Sequence, residues 1–129
     1  MSFDIDTYRE ISGKLEVADI AKRPVRGLPF GIRKRVELAR AIMAKPELLL
    51  LDEPAAGISH DEVTALAATI RRVASDFKTT ILMVEHHMQL VMSVSDHIVV
   101  LASGKKLADG PPAAVQANPA VVEAYLGTV

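Results

Sequence analysis

The spacing of apolar residues divides this chain into elements. Ile5, Tyr8, Ile11 and Leu15 recur at three- and four-residue intervals, which predicts a helix near the start. Residues 22–31 carry Pro24, Gly27, Pro29 and Gly31 and read as a loop. Val36, Ala39 and Met43, widened by Leu38 and Ile42, form one stripe of a helix over about 32–44, which Lys45-Pro46 ends. The pattern then changes. Residues 48–51 are four consecutive leucines, a strand expected to be buried on both faces. Ser59 and Glu62 have the spacing of a capping box, and Val63, Leu66, Ala67, Ile70, Val73 and Phe77 follow as the buried stripe of a helix. Arg71 and Arg72 read as solvated residues near its end. A second apolar strand covers 79–84, a helix 88–94 and a strand 97–101. Ser103-Gly104 predicts a hairpin turn with a returning strand over 105–108. Gly110-Pro111-Pro112 is a break, and 113–126 read as one or two short helices interrupted at Asn118-Pro119.

Strand, helix, strand over 48–84 predicts a parallel pair joined by a right-handed crossover. Both strands then end at the same sheet edge, where ligands of open parallel sheets bind. Asp52-Glu53 end one strand and Glu85-His86 the other. Neighbouring side chains on a strand point to opposite faces, so the two acids can serve different ends, one holding a cation and one acting on water. A buried strand ending in a polar loop is the plain alternative. The length of 129 residues suits one domain, and an apolar share of 50% with charged residues at 24% is that of a globular chain. A net charge of −1 gives no electrostatic footprint for nucleic acid. With no cysteine there is neither disulfide nor thiolate metal site. The first six residues are acidic, unlike a secretory leader, and the longest apolar run, 90–101, is interrupted by Asp96 and His97. A membrane role is therefore expected only through a partner.

Three chemistries compete for the strand-end groups: metal-dependent hydrolysis, phosphoryl transfer and a satisfied polar cluster. His86-His87 make a poor zinc pair, because adjacent residues at a strand end rarely reach one ion and no third ligand is suitably spaced. Phosphoryl transfer needs a carboxylate for magnesium, a group that orients water and donors for the γ-phosphate. Asp52, Glu53 and His86 supply those types, and the glycine-containing loop before the helix at 32 is a candidate anion site beside its plain reading as a loop–helix junction. Gly13-Lys14 is no phosphate loop, since Tyr8 and Leu15 stand where Gly and Ser or Thr are needed. No nucleophile elbow is present.

Residues 28–53, with 54–59 and 83–87, resemble the second half of an ABC-transporter ATP-binding subunit, and the likeness extends over about 18–127. It implies an α/β fold: a partial P-loop NTPase-like sheet, mostly parallel with helices on both faces, a remnant of the helical subdomain, and a C-terminal hairpin and helices. Residues 1–45 would be the helical-subdomain remnant and signature region, and 46–129 the part from Walker B onward. By resemblance Asp52 is the Walker B aspartate that holds Mg2+. Glu53 is the glutamate that polarises the attacking water, and His86 the switch histidine on the γ-phosphate. Residues 56–59 match the D-loop along the dimer seam, with Ser59 in place of its aspartate. Residues 28–32 match the signature loop, which binds the ATP of the opposite subunit; Leu28 and Gly31 are retained, whereas Pro29, Phe30 and Ile32 replace serine, glycine and glutamine. Leu28-Pro29-Phe30-Gly31, Ala55-Ala56-Gly57 and the ending at 122–127 resemble importers of branched-chain amino acids.

The sequence contains no Gly-x-x-x-x-Gly-Lys-[Ser/Thr], so the family's main grip on ATP is not among these residues. The implied function is the ATP-binding and ATP-hydrolysing component of an amino-acid importer, present as a C-terminal portion with weak or no ATP affinity of its own. Its implied partners are a second ATP-binding subunit and transmembrane permease subunits, and its implied place is the cytoplasmic face of the cell membrane. Two other readings stand beside it. One is a non-catalytic dimerisation or interaction module. The other is a head half of a chromosome-organising ATPase, which would need long heptads that residues 1–26 lack. In every case the leucine strand would lack a neighbour, and the chain alone is expected to self-associate.

Overall fold

The computed structural model describes residues 4–126. Gly127, the last residue of the importer-like ending, lies outside them. The elements follow in the order α1 (Ile5–Lys14), α2 (Phe30–Ile42), β1 (Leu48–Asp52), α3 (His60–Asp76), β2 (Thr80–Val84), α4 (Met88–Val94), β3 (Ile98–Ala102), β4 (Lys105–Gly110), α5 (Pro112–Ala117) and α6 (Pro119–Val121). Short 3-10 turns occupy Ala18–Ile20 and Val25–Gly27, and a π turn covers Val122–Leu126. The chain divides into two compact units between Glu85 and His86. Among the described residues no helix is long and apolar enough to cross a membrane.

In the first unit, α1 starts where the Asp4 carboxylate accepts the N–H groups of Asp6 and Thr7, at 3.1 and 3.2 Å, and the Thr7 hydroxyl. Lys45 at 3.3 Å ties the same carboxylate to the segment after α2. Helix α2 begins two residues earlier than the sequence predicts. Pro29 supplies the carbonyl for Arg33 N–H at 3.0 Å, and Gly31 thereby falls inside the first turn. Helix α3 opens with the predicted capping box: Ser59 N–H donates to the Glu62 carboxylate at 2.7 Å, and Glu62 N–H donates to the Ser59 hydroxyl at 3.4 Å. The buried side chains Ile11, Leu15, Leu38, Ile42, Val63, Leu66, Ile70 and Val73 form the interior of this unit.

Strands β1 and β2 pair in parallel, from Leu48 opposite Thr80 to Asp52 opposite Val84, as the crossover predicts. The expectation of burial on both faces fails. Leu49 is 7% exposed, whereas Leu50 is 66% exposed and Leu82, its partner in register, 60%. Leu49 is buried on one face of the pair, and the opposite face, with Leu48, Leu50, Leu82 and Val84, is uncovered among the described residues. A run of leucines records apolarity at each position but not whether the chain itself provides a layer for each face.

In the second unit, β3 and β4 form an antiparallel hairpin with an irregularity between Val100 and Leu101. Ser103 (φ 49°) and Gly104 (φ 74°) are both left-handed, which matches the right-handed twist of the flanking strands. The expected break at Gly110 falls one residue later, since Gly110 still pairs with Ile98. Leu90, Ile98, Val100, Val115 and Val121 are the buried residues at its centre.

Candidate functional site

Asp52 is the last residue of β1 and is exposed. Glu53 follows it outside the strand, so alternation across a strand does not describe the pair. Glu53 takes φ 46°, a left-handed conformation that costs a residue with a Cβ about 1–3 kcal/mol and occurs preferentially at functional sites. Its N–H donates to Val84 O at 2.8 Å, which continues the ladder one step beyond β1 and seats Glu53 at the carboxyl end of the pair. The chain then turns: Ala56 N–H donates to Glu53 O at 3.0 Å, with Pro54 and Ala55 buried. Glu85 ends the first unit and reaches back to this turn, where its Oε1 accepts Ala55 N–H at 2.8 Å. Three carboxylates, Asp52, Glu53 and Glu85, therefore belong to one edge, as the parallel topology predicts. His86 is the first residue of the second unit, directly after Glu85.

The remaining candidates meet at a second place in the first unit. Leu28 is buried, 6% exposed, and Phe30 and Gly31 open α2. The Phe30 ring packs on Gly57, whose φ of 78° turns the loop ahead of α3. A Cβ on Gly31 would stand 2.6 Å from Glu62 Oε1, so only glycine lets this carboxylate come so close. Ser59 N–H and hydroxyl, with Gly31 N–H, hold the Glu62 carboxyl below its ordinary range. Segments 28–31 and 57–62 are thus cross-braced, and the Ser59 hydroxyl serves as the cap of α3. Arg33 and Lys34 lie 5.1 and 5.2 Å from the Phe30 ring centre. A shallow groove beside this brace is lined by Lys34, Glu37, Leu38, Leu49, Asp52 and Pro54. Asp52 and the first turns of α2 therefore border one depression.

Sequence reasoning placed Glu85 at this edge without giving it a role, and passed over Glu62 as a cap. The signal for Glu85 was its place as the third carboxylate at a shared strand end. For Glu62 it was a glycine that a tertiary approach requires, which a lone sequence does not disclose. Among the described residues no group of three or more His, Asp or Glu side chains could hold a metal by itself. Asp52 suits a Mg2+ that takes one carboxylate oxygen, phosphate oxygens and waters.

The chain is similar to known proteins. Residues 5–56 match the family model described as ABC transporter, and residues 105–129 match that of the branched-chain amino acid ATP-binding cassette transporter. The chain is 45% identical over 114 residues to the high-affinity branched-chain amino acid transport ATP-binding protein BraF of Pseudomonas aeruginosa, covering 88% of this chain and 45% of BraF. It is 43% identical over 121 residues to LivG of Escherichia coli, a protein of the same description, covering 94% of this chain and 46% of LivG. The crystal structure of the ADP conformation of an ATP-binding cassette of an ABC transporter superposes with a TM-score of 0.83 at 27% identity, over 96% of this chain and 50% of that one. The chain thus spans about half the length of the curated relatives it matches.

Proposed function

We propose, for a chain that corresponds to the C-terminal half of the ATP-binding subunits of branched-chain amino acid ABC importers, that it supplies the magnesium-holding and water-orienting groups of an ATP hydrolase. Asp52 would hold Mg2+ through its carboxylate. Glu53 accepts a hydrogen bond from the attacking water and aligns it. His86 contacts the γ-phosphate. Bound Mg2+ would supply charge neutralisation on the phosphates. Leu28, buried itself, belongs with Gly31 and Ser59 to the segments that serve the nucleotide of a second ATP-binding subunit. Residues 1–45 act as the helical-subdomain remnant with the signature region, and 46–129 as the part from Walker B onward. Permease subunits take up the coupling, which places the assembly on the cytoplasmic face of the membrane, and amino acids are the transported class. The observation that supports the reading is the end of the parallel pair, where Asp52 closes β1 and Glu53, at φ 46°, donates its N–H to Val84 O.

The residues that grip the phosphates must come from sequence that this chain does not contain. The test is therefore complementation: the chain is co-expressed with a polypeptide carrying the Gly-x-x-x-x-Gly-Lys-[Ser/Thr] loop of such an ATPase, and ATP hydrolysis of the purified pair is measured. Turnover that Glu53→Gln lowers about a hundredfold is expected. A pair that copurifies without turnover, or whose turnover ignores Glu53→Gln, overturns the reading. The alternative, an interaction module without hydrolysis, draws on the engagement of Gly31 N–H by Glu62, and an inactive but stable pair is its signature.

A further inference from the structure

We propose that Glu85 is a positioning residue for Glu53: its carboxylate pins the turn that carries the water-orienting group. This rests on the reading of Glu53 given above. Several hydrogen bonds hold the turn 53–56. Glu53 N–H donates to Val84 O at 2.8 Å, Ala56 N–H donates to Glu53 O at 3.0 Å, and Ala55 N–H donates to Glu85 Oε1 at 2.8 Å. The first two are backbone bonds that any sequence could make. The third crosses thirty positions of chain and depends on one side chain. It is part-buried, and Ala55 is only 7% exposed, so water is a poor substitute for the carboxylate at that N–H. A charged acceptor strengthens such a bond. The need for it is local. Glu53 is left-handed and precedes Pro54, whose ring disfavours helical conformations of the residue before it. Without a restraint immediately downstream, the turn relaxes and the Glu53 carboxylate leaves its place at the strand edge. Glu85 thus acts on the loop through its Oε1.

Two measurements on the same variants test this. Amide exchange on the full chain reads the restraint: Glu85→Ala is expected to speed exchange at Ala55 about tenfold, and Glu85→Gln, which keeps an acceptor oxygen, to restore most of the protection. Unchanged exchange at Ala55 in Glu85→Ala overturns the proposal. Hydrolysis by the complemented pair reads the consequence: Glu85→Ala is expected to lower kcat at least about tenfold with KM for ATP within about twofold, and Glu85→Gln to recover kcat. If Glu53→Gln abolishes turnover while Glu85→Ala leaves kcat unchanged, the proposal fails and the reading of Glu53 stands. If Glu53→Gln is without effect, the reading of Glu53 fails first. A loss in Glu85→Ala that Glu85→Gln does not recover also overturns it, since the acceptor oxygen is then not what matters.

Discussion

Glu53 is held in a conformation that glycine would adopt freely, and this makes a sharp prediction. Two variants, Glu53→Ala and Glu53→Gly, both remove the carboxylate and every interaction it makes. They differ in the Cβ and in the freedom of the unfolded chain. A Cβ in the left-handed region at φ 46° costs about 1–2 kcal/mol. Glycine loses about 0.5–1 kcal/mol more backbone entropy on folding than alanine. The balance leaves Glu53→Gly about 0.5–1 kcal/mol more stable than Glu53→Ala, a gain in Tm of roughly 2–4 °C for a chain of this size. Urea and thermal unfolding of the two variants, followed by circular dichroism, measure the difference. Both variants are expected to lose hydrolysis in the complemented pair, the outcome if the strained conformation is retained for the carboxylate and not for the fold. A glycine variant no more stable than the alanine variant would refute the reasoning, because Glu53 would then not be left-handed in solution or its strain would be relieved by a shift of the turn.

The other predictions test the supports around that site. Gly57→Ala should destabilise by about 1–2 kcal/mol, since φ is 78° and the new Cβ meets Phe30 Cε1 at 3.2 Å; the urea midpoint reads it, and Phe30→Ala in the same chain should relieve only the contact. Asp4 carries a pKa lowered to about 2 by the Thr7 hydroxyl and N–H and by Lys45. A folded-state pKa below the unfolded value means stability that is present above about pH 4 and lost as pH falls toward 2. Loss of the α1 amide signals over that window, absent in Asp4→Ala, is the expected NMR result. The uncovered face of Leu48, Leu50, Leu82 and Val84 should drive self-association of the isolated chain. Leu50→Lys with Leu82→Lys should abolish it in light scattering, and a monomeric parent at high concentration would contradict it.

Much of this molecule is written in local pattern. The capping box at Ser59 and Glu62, the stripe of α3, the helix Met88–Val94 and the hairpin at Ser103-Gly104 follow from spacing and from turn chemistry, which act between residues a few positions apart. The parallel pairing of β1 and β2 follows as well, because one helix between two apolar runs leaves a single favoured crossover. From that pairing comes the meeting of Asp52-Glu53 with Glu85 at one edge. What the tertiary structure alone decided is how the polar groups are used. Asp52 and Glu53 looked like neighbours on opposite faces of a strand; the ladder bond to Val84 and the turn behind it place Glu53 outside the strand in a left-handed state. Gly31 looked like a loop glycine; the approach of the Glu62 carboxylate explains it. Four leucines looked buried on both sides; only the layer on the Leu49 side is present among the described residues. Pattern carries the period of a segment because the segment's own geometry sets it. The partner of a carboxylate thirty residues away, or the covering of a sheet face, depends on packing between segments and is settled only when they fold together.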